Sequence, residues 1–347
     1  MTSYISTQSI SSSMRQSILR MQSELAASQT EIATGNYADI GLTLGSRTGD
    51  SVSLQAENSL LQTITNTNQT VTSRLDTTQT ILSGLRTSAQ TLLNSLIEGT
   101  GSNTNASSIQ ASGQSDLQGL ISGLNSTLSG DFIFAGTNTS KQPVTDYYAT
   151  PATNKSAVDS AYLAAFGMSQ TSAGVSTISG ANMQTFLNTQ FAPLFQGANW
   201  STNWSSASSQ TLTNQISGSQ TTSTSVSANN PAFQQLAQAY TMVADLGTQN
   251  LNSSAYQAVT NTARSLVTSA ISNLVELQAS VGLVQSNVSN ANNQMSLQMN
   301  ILSTQIGNLE SVNTYEVSTR ITSLQTQIET SYSLTSQLQQ LSLVKYL

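Results

Sequence analysis

The chain has no cysteine and no histidine. Without cysteine there is no disulfide framework and no thiolate to act as nucleophile or metal ligand. Without histidine, the usual neutral-pH general base, the commonest zinc ligand and the middle member of a Ser-His-Asp triad are lost together. Charge is nearly as scarce: Asp, Glu, Lys and Arg make up 7% of the 347 residues, where soluble domains carry roughly 25%. The ten basic residues are scattered (Arg15, Arg20, Arg47, Arg74, Arg86, Lys141, Lys155, Arg264, Arg320, Lys345) and the net charge is -6, which leaves no basic face for nucleic acid or for an anionic membrane. No apolar run approaches the roughly 18 residues that a bilayer span needs. The start, Met1 to Ile10, has neither the positive region nor the apolar stretch of a cleavable secretion signal. The expectation is a protein that stays in the cytoplasm or leaves by a route needing no such signal.

Paired carboxylates could still support catalysis. The acids Glu24, Glu31, Glu57, Glu276, Glu310 and Glu329, however, lie singly on segments with helical patterning, where each reads as part of a solvated face. No enzyme activity is expected, and no catalytic, cofactor-binding or metal site.

What the chain does have is apolar periodicity. Leu61, Ile64, Val71, Leu75, Leu82, Leu85, Ala89, Leu92 and Leu96 step by threes and fours, with Asn68 and Thr78 as the polar members of the stripe. A second stripe runs through Leu274, Leu277, Val281, Val284, Val288, Ala291 and Met295. Such spacing gives a helix one narrow face for a partner helix, so these residues form the expected rod core. Asn68 and Thr78 either fix register or are tolerated gaps. Shorter stripes lie near both termini: Met14, Ile18, Met21, Leu25 and Ile32, and then Val317, Ile321, Leu324, Ile328, Leu334, Leu338 and Leu341. The neutral Ser, Thr, Asn and Gln flanks can pack side by side with little like-charge repulsion, which suits a surface covered in a polymer.

Between the rods the composition changes. All seven Phe and both Trp fall between Phe132 and Phe233, and aromatics need a packed core. Short alternating runs at Asp131–Phe134, Gly174–Ile178 and Thr221–Val226 suggest strands, and Met183–Phe191 a helix. The fold expected is mainly α, with elongated antiparallel helical rods or a coiled coil from both chain ends and an inserted α+β, β-rich outer domain. Its parts are an N-terminal assembly helix (1–45), a first rod segment (46–130), the inserted globular domain (131–245), a second rod segment (246–312) and a C-terminal assembly helix (313–347). Phe132 with Phe134, and Trp200 with Trp204, read as core residues. The glycines at 35, 41, 45 and 49 read as a connector, since no Gly-Lys-Ser/Thr follows to make a phosphate loop.

Three stretches carry a family resemblance: Ile18-Leu-Arg-Met-Gln-Ser-Glu-Leu25 with Glu31-Ile-Ala-Thr-Gly35, the transition Gly130-Asp-Phe-Ile-Phe-Ala-Gly136, and the ending from Tyr315 to Leu347, which closes on Leu-Ser-Leu-Val-Lys-Tyr-Leu. In these the chain resembles the flagellin superfamily, over roughly residues 1–136 and 235–347, and most closely its hook-filament junction branch. It departs where many relatives carry Asp-Asp-Pro and this chain has Ile40 to Gly49.

The resemblance implies an extracellular structural component of the bacterial flagellum, exported unfolded through the flagellar type III apparatus with an export chaperone. It further implies that the terminal stripes pair on assembly into a ring of identical copies, between the preceding hook-associated junction protein and flagellin. Flagellin itself is the first rival reading. A surface adhesin or secretion-tip protein using residues 131–245 is the second.

Overall fold

The computed structural model describes the backbone of residues 7–99 and 105–344, with side chains from 9 to 337. In chain order, helices α1 (Thr7–Thr34), α2 (Ile40–Leu44), α3 (Thr48–Glu98) and α4 (Ala106–Leu124) precede strands β1 (Thr127–Leu128) and β2 (Asp131–Phe132). Next come α5 (Thr153–Phe166), α6 (Gly180–Phe186), α7 (Gly197–Asn199), β3 (Thr213–Gln215) and β4 (Thr221–Ser223). The chain finishes with α8 (Pro231–Asp245), α9 (Ser253–Glu310) and α10 (Thr314–Val344). The fold is mainly α, as the periodicity requires. It divides into two compact units, residues 1–63 with 294–347 and residues 64–293, whose boundaries fall inside α3 and α9.

In the first unit α1 and α10 pack antiparallel: Gln22 donates to the Tyr332 hydroxyl at 2.9 Å, and Arg320 lies 3.5 Å from Glu31. α1 ends because Gly35 takes the left-handed conformation (φ 75°) and returns its N–H to the Glu31 carbonyl at 2.8 Å, a cap open to glycine at little strain. The connector that follows is short helix: the Asp39 carboxylate accepts from the Leu42 N–H at 2.8 Å and starts α2.

In the second unit α3 and α9 also run antiparallel. Gln285 donates to Asp76 at 2.6 Å and Gln79 to the Gln278 carbonyl at 3.1 Å. Leu75, Leu82, Ala89, Leu92 and Leu96 from α3 are buried with Val259, Ala263, Val267, Ala270 and Leu274 from α9. The two polar seam residues behave differently. Thr78 returns its hydroxyl to the Arg74 carbonyl of its own helix at 2.8 Å and is a tolerated gap. Asn68 is fully buried and its amide nitrogen donates to Asn292 at 2.7 Å and to the Ile216 carbonyl at 2.8 Å, so it ties α3 to α9 and to the β3–β4 hairpin. Asn68→Ala should lower the unfolding free energy by about 2 kcal/mol, because the buried Ile216 carbonyl and the half-buried Asn292 amide oxygen lose their donor; chemical denaturation of the purified chain checks this.

α4 lies against α8. Gly113 permits the approach, since a Cβ there would stand 3.0 Å from Val243 Cγ1 and 3.2 Å from the Ala244 nitrogen. α8 itself is buried on nearly every side, as expected of a helix whose apolar and small residues are not confined to one face. Asn230 caps it by accepting from the Ala232 N–H at 3.0 Å, with Pro231 at the first helical position.

The aromatic region differs from its expected form in two ways. Its core is continuous with that of the rods: one cluster of buried residues runs from Val71 and Leu96 through Phe134, Tyr162 and Trp204 to Leu274 and Ala291. It is also poorer in strand than β-rich patterning suggested, with only the antiparallel pairs β1–β2 and β3–β4 among the described residues. Gly174–Ile178, read as a strand, is 3-10 helix over Ala173–Thr177. The Ser172 hydroxyl accepts from the Gly174 N–H, and the Thr177 hydroxyl donates to the Gly174 carbonyl at 2.7 Å. Local hydroxyl bonds of this kind compete with a sheet ladder.

By length and composition alone, α9 is apolar enough to cross a membrane. Its apolar residues alternate with Ser, Thr, Asn, Gln and Glu276, and Val267, Ala270, Leu274 and Val281 lie in the core, which is the pattern of a packed rod.

Candidate assembly surfaces

Among the described residues no group of acids could hold a metal ion, and the one dense charge cluster is satisfied internally. Lys155 Nζ lies 2.9 Å from Asp245 Oδ2 and 3.2 Å from Asp159 Oδ1, while the Tyr147 hydroxyl donates to Asp245 at 2.6 Å. Burial, and after it the Asp245 charge, hold the Tyr147 phenol far above its ordinary range. Burial pulls Lys155 down, yet Asp245 and Asp159 outweigh it and leave the ammonium above its usual value. A lysine kept charged and a phenol kept protonated form a structural ion pair with no proton to exchange near neutrality.

Burial on α4 pushes the Asp116 carboxyl up to about 6 from 3.8. A carboxyl with a folded pKa above its unfolded one stabilises the fold at low pH, and that contribution is lost as pH rises from about 4 through about 6. Asp116→Asn should therefore raise stability by about 1–2 kcal/mol at pH 7.5, after allowance for partial solvent screening, and by little at pH 4. Thermal melts at the two pH values read the difference.

The rod-core residues Leu61, Ile64, Val71, Leu75, Leu82, Leu85, Leu92, Leu274, Val281 and Val288 are buried. Leu277 and Val284 are half-buried and, with Leu75 and Val226, line a groove of about 350 Å³ walled by Ser209, Ser225 and Asn229. Of the terminal stripe, Ile18, Leu324 and Ile328 are buried, and Met14, Met21, Leu25 and Ile321 are half-buried. Ile32 and Leu334 are 40% and 44% exposed, while Leu338 and Leu341 lie outside the described side chains. The stripe is thus shared between an inner seam, where α1 meets α10, and an outer surface to which Leu19 and Tyr332 also contribute. In the same unit Val52, Leu60, Leu297 and Ile301 are each more than half exposed. Scattered exposed apolars are ordinary, but here they sit on helices whose polar residues are mostly Ser, Thr, Asn and Gln.

The polar residues of these helices complete the picture. Along α10 the hydroxyls of Ser318, Thr319, Thr322, Thr326 and Thr330 each donate to the carbonyl four residues back, at 2.7–3.1 Å. α3 repeats the arrangement at Thr63, Thr77, Thr80, Thr87 and Thr91. A hydroxyl whose proton is spent inside its own helix offers no orphan donor when another helix covers it. Low charge and self-satisfied hydroxyls make a surface cheap to strip of water.

Sequence reasoning placed Glu31 and Glu310 on solvated faces, and both are buried. Isolated acids on a helix carry no signal of burial, because their partners come from distant segments: Arg320 for Glu31, and Ser51 with Gln55 for Glu310.

Residues 5–139 match the bacterial flagellin N-terminal helical region and residues 264–347 the bacterial flagellin C-terminal helical region. No curated protein matches the chain. Among solved structures, the fold is similar to one from Vibrio parahaemolyticus described as a flagellar hook-associated protein, with a TM-score of 0.52 and 12% identity over 76% of this chain and 97% of that one.

Proposed function

The chain belongs to the flagellin superfamily, a family of structural proteins of the extracellular flagellum, and we propose that it serves there as a hook-associated junction protein. In this reading identical copies form a ring whose α1–α10 pairs nest against one another, joining the preceding junction protein on the hook side to flagellin on the filament side. Export would run through the flagellar type III apparatus with a chaperone. The observation that carries the reading is the α1–α10 pair itself: an antiparallel helix pair, its polar residues mostly Ser, Thr and Gln, that leaves Leu19, Ile32, Tyr332 and Leu334 uncovered. The Phe132-Ile-Phe134-Ala-Gly136 transition and the Leu341-to-Leu347 ending favour the junction branch.

Flagellin is the second reading, because both matched family regions are those of flagellin. Immunogold labelling of intact flagella separates the two. A junction protein gives one spot at the filament base, and its deletion leaves hooks that shed flagellin into the medium. A coat of label along the filament would overturn the junction assignment and leave the flagellin one standing.

A further inference from the structure

Negative charge at a helix C-terminus opposes the helix dipole, yet two of this chain's buried acids occupy that position. Glu31 lies in the last turn of α1 and Glu310 is the final residue of α9. Local rules broken at specific places mark functional features, and both carboxylates turn back onto chain reversals. Glu310 Oε1 accepts from the Ser51 hydroxyl and from Gln55 Nε2 at 2.6 Å. Ser51 belongs to the first turn of α3, where exposed N–H groups favour an anion. The Glu310 backbone carbonyl accepts from the Tyr37 N–H at 2.9 Å, and the Val312 N–H reaches back to the Gly35 carbonyl at 2.9 Å. Asn36 and Ser311 thereby form an antiparallel bridge. Across the bridge, Glu31 Oε1 accepts from the Ala38 N–H at 3.4 Å, and Oε2, with no hydrogen bond of its own, lies 3.5 Å from the Arg320 guanidinium of α10.

We propose that this pair of carboxylates is a conformational latch. The Glu310 side chain, by gripping the first turn of α3, makes the reversal after α1 and the reversal before α10 order as one step, so that the α1–α10 pair is either docked at its base or released as a whole. The mechanism does not depend on which flagellar role the protein has. Glu31 and Arg320 hold the second side of the latch, and Glu310 closes it, because its side chain grips α3 while its backbone carbonyl ties the 35–39 turn to the end of α9.

The test is native-state hydrogen exchange on the purified full chain. The Tyr37 and Val312 amides bond to backbone carbonyls that no side-chain substitution removes, so any change at them reports coupling. Glu310→Ala should speed exchange at Tyr37 and Val312 at least tenfold while amides of residues 80–90 and 265–275 keep their wild-type rates. Gln55→Ala should give part of the same effect, and Gln55→Ala combined with Glu310→Ala should be no worse than Glu310→Ala alone. Glu310→Gln, whose amide oxygen can still accept from Ser51 and Gln55, should fall between. Unchanged exchange at Tyr37 and Val312 in Glu310→Ala overturns the latch. So does equal acceleration throughout the chain, which would make Glu310 a general stability residue, and so does a Gln55→Ala variant indistinguishable from wild type.

Discussion

Trp204→Ala is expected to lower the unfolding free energy of residues 64–293 by about 3–5 kcal/mol, the range for emptying a large aromatic site in a close-packed core. The Trp204 ring is 1% exposed. It stacks on Trp200 with centroids 5.6 Å apart and planes at 9°, lies 5.5 Å from Tyr147 at 18°, and meets Phe195 at 5.0 Å. From Phe195 the contacts continue through Phe191 and Phe186 to Tyr162, so the neighbours are held on their far sides and cannot collapse into the space. No hydrogen bond is lost with the ring, because its Nε1 has no partner, so the effect is one of packing. Trp204→Phe should recover more than half of it.

The same variant discriminates between two architectures. If the aromatic region shares its core with α3 and α9, fluorescence and far-UV circular dichroism will report one coincident transition, shifted as a unit. If residues 131–245 fold separately, the helical signal of the rods will keep its wild-type midpoint while the aromatic signal moves. The continuous buried cluster predicts the first outcome.

Ile18→Asp is expected to abolish self-assembly and swimming without moving the melting transition of residues 64–293. Ile18 is buried in the α1–α10 seam, with Met14 and Met21 half-buried one turn away on either side. An unpaired carboxylate there carries a desolvation penalty of several kcal/mol, against a helix pair with little to spare, since isolated helices of this kind are marginal in water. Sedimentation should show monomer at all concentrations, and the loss of α1 and α10 should appear as reduced helicity. Leu19→Asp is the informative companion. Leu19 is 60% exposed, so the variant should keep wild-type helicity as a monomer and still fail to assemble if the outer face is the one that meets neighbouring copies. A Leu19→Asp chain that assembles normally would move the contact to another face.

The position of Asn68 in the apolar stripe already posed the choice between register lock and tolerated gap, but not its answer. Both Asn68 and Thr78 are polar residues at seam positions, and only the approach of Asn292 and of the Ile216 carbonyl makes one of them a tie. Gly174–Ile178 failed as a strand for a related reason: alternation over five residues is a weak signal, and the hydroxyls of Ser172 and Thr177 had nearer partners than any sheet.

Residues that repeat every three or four places need only their own helix to define a face, which is why α1, α3, α9 and α10 and the stripes along them follow from the order of amino acids alone. The scarcity of charge and the absence of histidine and cysteine likewise need no coordinates to rule out whole classes of chemistry. Tertiary structure alone decided that the aromatic region and the rods would share a core, which terminal residues face inward, and that Glu31 and Glu310 would be buried. Each of those outcomes depends on groups scores or hundreds of positions away, as Ser51 is from Glu310, and no local pattern encodes a partner that only folding brings near.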